Sequence, residues 1–364
     1  MKEVTVTAPV NIAVIKYWGK RNVKLNLPTN SSLSVTLSQD HMCSKTTVSV
    51  DDSYDTDSLF LNDEQNEIGG RLSNVLAAFR SLTEDASLKD AKVKITSTNN
   101  FPTAAGLASS ASGFAALVFA LGKVFVPTYN NSQLSTIARQ GSGSACRSLF
   151  GGFVAWEKGE SEDGTDSSAV EVAPKSHWDD LDALICVVSA NKKAVASTAG
   201  MQRTVETSPY LMHRAEQVVP QRMADITDAI KNKDFDKFAD ITMRDSNSFH
   251  ATCLDTHPPI FYLTDVSRLI IGVVHALNEA AGRAVAAYTF DAGPNAVLYV
   301  QRKDKDLVLS IVNDLFGPCE GAQGASHSTL LHEAKIDVDL TNFKHANGLS
   351  RIIQTTIGDG PRVV

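Results

Sequence analysis

Pro102-Thr103-Ala104-Ala105-Gly106-Leu107-Ala108-Ser109-Ser110-Ala111 runs straight into a strongly apolar segment that ends near Val124. Glycine and other small residues let a backbone come close to a phosphate chain. The helix that the apolar segment predicts over 110–124 then turns its first amides, and the positive end of its dipole, toward the same anion. Ser109 and Ser110 are placed to cap that helix and to donate to a phosphate or hold Mg²⁺. The stretch is not a Walker loop, because it has no G-x-x-x-x-G-K-[ST]. Taken alone, it serves equally well as a small-residue cap on a core helix.

On the N-terminal side, 5–14 reads as a strand running into a loop. Residues 31–37 and 43–50 alternate apolar and polar with period two, which predicts strands, and 58–61 predicts another. The acidic, polar 51–57 is a turn region. Apolar residues at 72, 75, 76, 79 and 82 predict a helix over 71–82. A short strand follows at 93–95, a helix at 134–140, and strands at 151–157 and 184–188 around a polar loop at 159–165. The second half predicts helices over 209–219, 222–231, 235–249, 260–282 and 306–316, with strands at 284–289 and 296–300. Strands with a few helices, then helices with a few strands, make the class α+β rather than a regular βαβα alternation. At 364 residues the chain exceeds one core of ordinary size. A division near 190 separates an N-terminal part, 1–190, from a C-terminal part, 191–364. The small, polar, Gly-rich 317–329 reads as a loop.

Hydrophobic residues are 43% and charged residues 21%, as in ordinary globular proteins. The net charge of −7 disfavours nucleic acid and anionic membrane as partners, and leaves an anionic substrate to be gripped by a few local cations. Cys43, Cys146, Cys186, Cys253 and Cys319 contain no C-x-x-C pair. A disulfide framework or zinc site is therefore not expected, and a reducing, cytoplasmic setting fits. No signal-peptide core opens the sequence. The longest apolar stretch, 113–122, is about half of the roughly 20 residues a membrane-spanning helix needs.

Three further stretches carry chemistry. Ala8-Pro9-Val10-Asn11-Ile12-Ala13-Val14-Ile15-Lys16-Tyr17-Trp18-Gly19-Lys20-Arg21 sets cations beside two aromatics; alone, it is also a basic strand edge with packed rings. In Gln140-Gly141-Ser142-Gly143-Ser144-Ala145-Cys146-Arg147-Ser148, hydroxyls and bare amides suit a diphosphate, and an arginine can clamp a carboxylate with two parallel bonds. The same string is ordinary Gly-Ser turn chemistry. Tyr288-Thr289-Phe290-Asp291-Ala292-Gly293-Pro294-Asn295-Ala296-Val297 places Asp291 at a strand end before a Gly-Pro turn, where an aspartate is common for turn reasons alone.

Together these strings resemble the GHMP kinase superfamily and, within it, the mevalonate diphosphate decarboxylase family. P-x-x-x-G-L-x-S-S-A over 102–111 resembles the superfamily's phosphate loop. Lys16-Tyr17-Trp18-Gly19-Lys20 resembles its first motif in the decarboxylase form, and 140–148 the decarboxylase substrate loop. Phe290-Asp291-Ala292-Gly293-Pro294-Asn295-Ala296 stands where the kinases are glycine-rich. Leu27-Pro28-Thr29-Asn30-Ser31-Ser32, Ser197-Thr198-Ala199-Gly200-Met201 and the stretch 245–255 are also similar to family segments. The likeness runs from about 4 to 300 and then thins, with a C-terminal segment shorter than in many members.

The resemblance implies a GHMP kinase fold. Its N-terminal lobe would be like the second domain of ribosomal protein S5, its C-terminal lobe a ferredoxin-like α/β unit, and its active site would lie in the cleft between. It implies ATP-dependent decarboxylation of (R)-5-diphosphomevalonate to isopentenyl diphosphate, within isoprenoid and sterol synthesis, with ATP as co-substrate, Mg²⁺, and a homodimer. Asp291 would then address the 3-hydroxyl, as a base or by orienting it. Arg147 would clamp the substrate carboxylate, and Lys16 would act on the migrating phosphoryl group. Substrate binding, chiefly of the diphosphate, falls to Tyr17, Trp18, Gly19, Lys20, Arg71, Ser142, Gly143, Ser144, Ala145, Cys146, Ser197 and Thr198, together with Arg147 and with Asn11 orienting nearby side chains. The nucleotide falls to Asn99, Pro102, Gly106, Leu107, Ala108, Ser109, Ser110 and Lys192 or Lys193, with Ser110 the contact to a Mg²⁺ held mostly through ATP phosphates.

Arg71 and the lysine pair lie outside the strong motifs and read equally as solvated cations. His250 reads as a hydrogen-bonded structural histidine, and the cysteines as packing residues. Two other readings stay open. A related kinase would phosphorylate the 3-hydroxyl of mevalonate without decarboxylating it; Asp291 and Arg147 together argue against that. A non-catalytic member of the fold would lack the phosphate loop or the carboxylate, and both strings are present.

Overall fold

The computed structural model describes residues 2–101, 109–188, 194–321 and 326–364, without the side chain of Ser109. The alternating segments become an antiparallel pair, Lys2–Pro9 with Cys43–Val50, in register from Lys2 opposite Val50 to Pro9 opposite Cys43. They lie inside a sheet ordered Arg362–Val363, Lys2–Pro9, Cys43–Val50, Val93–Asn99, Ser58–Leu61 and Glu64–Asn66. The helices Gly70–Leu82, Ser109–Phe125 and Asn131–Gly141 share an apolar core with this sheet. Leu72, Val75, Leu76 and Phe79 come from the first of them, at the predicted helical spacing.

A second sheet, Ala169–Ala173, Phe153–Trp156, Ser32–Thr36 and Asn11–Ile15, is buried through its last three strands. A third, Ala287–Phe290, Ala296–Gln301, Leu181–Val187 and Arg351–Thr356, is antiparallel throughout. One apolar core joins these two sheets: Ile12, Leu33 and Val35 belong to the same cluster as Leu184, Phe238 and Tyr299. A division near 190 therefore cuts through this core, while the core under the first sheet lies wholly within the N-terminal part. Leu181–Val187 precedes the division placed near 190 yet belongs to the third sheet, and Arg362–Val363 returns to the first. The class is α+β, as the order of elements implies.

Several boundaries differ from the sequence reading. The strand at 93–95 continues to Asn99, because every residue of Val93–Asn99 has a partner on Cys43–Val50 despite a polar second half. The helix expected from 260 starts at Asp265, where Thr264 and Ser267 form a capping box; Ile260 and Tyr262 instead join a small core around Trp18. The helix expected over 235–249 extends to Asp255. In the stretch 209–219, an α-helical turn, Pro209–His213, gives way to a π turn, Arg214–Val218; Pro220 is accommodated in the first turn of Val219–Asn232. Ser197–Thr207 and His327–Glu333 are helices without an apolar periodicity to announce them. The second corrects the loop expected to run to 329; positions 322–325 are outside the described residues.

The helix Phe235–Asp255 positions the site. It packs against both Asn11–Ile15 and Ala287–Phe290. Lys16 follows the first of these strands and Asp291 follows the second.

Candidate active site

Lys16 Nζ donates to Asp291 Oδ1 at 2.6 Å. The lysine side chain is 3% exposed and the aspartate 33%, so the pair has a buried cationic end and an open anionic one. Burial pushes the Lys16 ammonium below the usual lysine range; Asp291 and Asp245 oppose that shift, and Arg147 adds to it.

Arg147 is 2% exposed. Its Nε donates to Asn11 Oδ1 at 3.3 Å and to Ser34 Oγ at 3.0 Å, and an Nη donates to the Ser32 hydroxyl. Among the described residues it has no ion pair with a carboxylate, although it lies within the electrostatic reach of Asp291. Desolvation lowers its pKa from the usual arginine value. A buried cation surrounded by neutral oxygens is costly unless an anion joins it. Asn11 locks this arrangement: its amide also donates to Ser148 Oγ at 2.7 Å and to the Ser144 carbonyl at 3.0 Å.

Arg147 sits in the 3₁₀ segment Gly143–Leu149, which follows Asn131–Gly141 after Ser142. Gly143 lies under two rings, where a β-carbon would come within 2.9 Å of both Tyr17 and Trp156. The Tyr17 hydroxyl is buried and has no hydrogen-bond partner among the described residues. Burial raises its pKa well above the tyrosine range, so it stands as a neutral donor. Ser142 Oγ is 3.4 Å from Ser110 Oγ, bringing the loop 142–147 to the start of the helix Ser109–Phe125. Cys146 donates from Sγ to the Gly143 carbonyl at 3.0 Å, and burial pushes its thiol up to about 12, so it packs and does not react. Ala145 is fully buried beside it.

Lys20, Arg71 and Thr198 lie at the open side. Arg71 Nη donates to Thr198 Oγ1 at 2.8 Å, joining the helix Gly70–Leu82 to the first turn of Ser197–Thr207. Burial lowers the Lys20 ammonium to about 8, with Arg71 contributing. Two mutually repelling cations beside a helix N-terminus have the chemistry to hold an anion. Gly19 has a φ of +87°, and a β-carbon there would press on Thr29 and Leu211 at 3.0 Å, so only glycine makes this turn without strain.

Next to this, a cavity of about 610 Å³ has walls of Leu59, Ile95, Phe114 and Leu117 and polar points at Asn62, Ser97 and Asn99; Arg71 and Ser110 also line it. Apolar walls with a few polar groups suit a flat heteroaromatic ring.

The structure thus brings together Asn11, Lys16, Tyr17, Lys20, Arg71, Asn99, Ser110, the loop 142–147, Thr198 and Asp291. Trp18 is corrected as a side-chain donor. Its indole N–H is taken by Thr204 Oγ1 at 2.9 Å, and its ring packs on Phe249 and Tyr262. His250 is a buried structural histidine, as expected, with a hydrogen bond to the Phe290 backbone. Its ring packs against Phe249, Tyr262 and Phe290, and its Nε2 has no partner among the described residues. Burial lowers its pKa to about 3; Lys16 adds to the shift, and the Phe290 backbone and Asp291 oppose it. Ser197 opens its helix. Pro102, Gly106, Leu107, Ala108, Lys192 and Lys193, with the side chain of Ser109, lie outside the described residues. Sequence reasoning missed Ser32 and Ser34, although a strand carrying Ser32, Ser34 and Thr36 on one buried face signals a polar core contact. It also missed the cavity walls, which come from three separate elements.

Two family models match the chain: the diphosphomevalonate decarboxylase-like N-terminal domain over residues 8–169 and the mevalonate 5-diphosphate decarboxylase C-terminal domain over 183–364. The diphosphomevalonate decarboxylase of Gibberella zeae is 54% identical over 98% of this chain and 96% of its own. Among solved structures, the mevalonate diphosphate decarboxylase from Trypanosoma brucei has 41% identity and a TM-score of 0.90, covering 100% of this chain and 98% of that one. The structure of MDDEF in complex with MVAPP, AMPPCP and magnesium has 32% identity and a TM-score of 0.76, with 100% and 98% covered. The fold is that of the GHMP kinases, and the chain belongs to the diphosphomevalonate decarboxylase family.

Proposed function

We propose that this chain catalyses the ATP-dependent decarboxylation of (R)-5-diphosphomevalonate. ATP phosphorylates the tertiary 3-hydroxyl. The bond from C2 to the carboxylate then breaks, its electron pair forms the new double bond, and the 3-phosphate leaves with the C3–O pair. The products are isopentenyl diphosphate, ADP, phosphate and carbon dioxide. The observation that carries this reading is Arg147: a buried guanidinium with neutral partners, within the field of the Lys16–Asp291 pair. That is a place for a substrate carboxylate beside a group able to address a hydroxyl. The relatives' names, and the MVAPP and AMPPCP held by MDDEF, support it.

Asp291 orients the 3-hydroxyl or takes its proton, a role worth about 10²–10⁴ in rate. Lys16 holds that carboxylate and carries positive charge toward the phosphoryl group in transit. Phosphoryl transfer is chiefly positioning and charge stabilisation. Arg147 fixes the carboxylate so that its departing bond keeps one geometry. Tyr17, Lys20, Arg71, Ser142, Ser144 and Thr198 take the diphosphate, with the Gly143 and Gly19 turns shaping the backbone around it. The cavity beside Asn99 takes the nucleotide. Mg²⁺ binds oxygen and keeps water and phosphate ligands. The described residues fit that: they offer the Ser110 hydroxyl and no cluster of three His, Cys, Asp or Glu, so the ion would be held mainly by phosphates and would neutralise their charge.

Homodimeric assembly, a cytoplasmic setting and supply of sterol precursors belong to the same reading. The free cysteines agree with a reducing compartment. The test is carbon dioxide release from 5-diphosphomevalonate with ATP and Mg²⁺, beside Asp291→Asn. Release by the wild type alone, with one ADP per turnover, is expected. ADP and a stable 3-phosphate without carbon dioxide would make the chain a 3-kinase.

A further inference from the structure

Two consecutive residues of the helix Phe235–Asp255 hold the main chain on both sides of the Lys16–Asp291 pair. Asp245 Oδ2 accepts the Lys16 N–H at 2.7 Å. Ser246 Oγ accepts the N–H of Phe290, the residue before Asp291, at 3.0 Å. Asp245 is 0% exposed and Ser246 1%. The Lys16 carbonyl is held as well, by Asn30 Nδ2 at 3.0 Å and Arg214 Nη2 at 3.2 Å. Arg214 closes on Asp245 with two contacts at 2.9 and 2.7 Å, and Arg222 adds a third at 3.0 Å.

A fully buried ion pair is a weak source of stability, because desolvation offsets most of its attraction. An apolar contact would pack the helix more cheaply. The charged network instead provides direction: an acceptor that cannot swing away from the Lys16 amide. Lys16 and Asp291 are 275 positions apart and follow strands in different sheets. The helix packs on both strands and is the shared reference between them.

We infer that Asp245 and Ser246 are positioning residues, which set the geometry between Lys16 Nζ and the Asp291 carboxylate by holding the peptide units that carry them. The inference rests on the proposed role of that pair in the decarboxylation. The competing explanation is that buried N–H groups merely need acceptors; in that case loss of the acceptor lowers stability without singling out the chemical step.

Ser246→Ala, Ser246→Thr and, as a stability control on the same helix, Ile241→Val separate the two. Each is assayed for kcat, for KM toward 5-diphosphomevalonate and ATP by carbon dioxide release, and for Tm. Misplacement by about 1 Å costs on the order of 10²-fold, so Ser246→Ala is expected to lower kcat by about 10- to 100-fold with both KM values within about threefold. Ser246→Thr, which keeps the hydroxyl, is expected to restore most of kcat. Ile241→Val is expected to keep kcat within about twofold. Asp245→Asn leaves buried guanidinium groups without a carboxylate and is expected to fold poorly, so the serine variants decide. A Ser246→Ala enzyme with wild-type kcat, or one that loses no more than the control at equal Tm, overturns the positioning role alone. A wild-type chain that releases no carbon dioxide overturns the functional reading, and the positioning role with it.

Discussion

Lys16 and Asp291 meet at 2.6 Å with the cation buried and the anion half open. Taking an ammonium out of water costs more than one partly solvated carboxylate returns. Stability therefore does not account for the pair, whereas the proposed catalytic role does. Lys16→Met is expected to lower kcat by about 10²–10³ while Tm stays level or rises. A fall in Tm with kcat preserved would make Lys16 structural.

Lys20 titrates near the working range. Its ammonium is held down to about 8 by burial and by Arg71, so it is charged below that pH and neutral above it. An anionic diphosphate needs the charge. The value of kcat/KM for the diphosphate substrate is expected to be level near pH 7 and to fall as pH rises through about 8. Lys20→Arg keeps its charge throughout, since a guanidinium pKa exceeds about 12, and should abolish that fall. A pH profile shared by both enzymes would assign the fall to another group.

Gly143 is crowded by two rings, with Tyr17 and Trp156 each 2.9 Å from where a β-carbon would sit. Gly143→Ala must push the Tyr17 ring out of place. Overpacking of this kind costs about 1–3 kcal/mol, to be read by denaturant titration. A displaced Tyr17 hydroxyl is expected to raise KM for the diphosphate substrate by about tenfold, equivalent to about 1.4 kcal/mol. An unchanged KM would remove Tyr17 from the diphosphate site.

His250 ties stability to pH. Its pKa is lowered from 6.5 to about 3, with burial the largest cause. Below about 6.5 the unfolded chain binds a proton that the folded chain does not, so this contribution is complete above 6.5 and is lost as pH falls toward 3. By pH 5 the loss is about 2 kcal/mol. Urea midpoints at pH 7 and pH 5 should fall further apart for the wild type than for His250→Gln. Equal differences would mean that the imidazole is more hydrated than its burial implies.

Local signals carried far along this chain. Period-two alternation over 43–50 marks the strand Cys43–Val50, and apolar spacing marks Gly70–Leu82, because both depend on neighbours within a few residues. The small-residue string at 102–111 and Phe290-Asp291-Ala292-Gly293-Pro294 pointed to the family for a related reason: tight turns and close backbone approach demand particular residue types at each position. The helix Ser197–Thr207 escaped because its residues Ser-Thr-Ala-Gly present no apolar stripe.

What the tertiary structure alone decided are the distances between groups that the sequence could only name. Whether the Trp18 N–H is available to a ligand depends on Thr204, 186 positions away. That Arg147 meets Ser32, Ser34 and Asn11 rather than a carboxylate depends on strands from another part of the chain. Residue order was enough for most of the elements and for the chemical types in the motifs, but not for the helices Ser197–Thr207 and His327–Glu333. The hydrogen-bond partners, the burial and the pKa shifts were left to packing, because solvent exclusion and hydrogen-bond geometry are properties of residues that meet only once the sheets and the helix Phe235–Asp255 have closed around them.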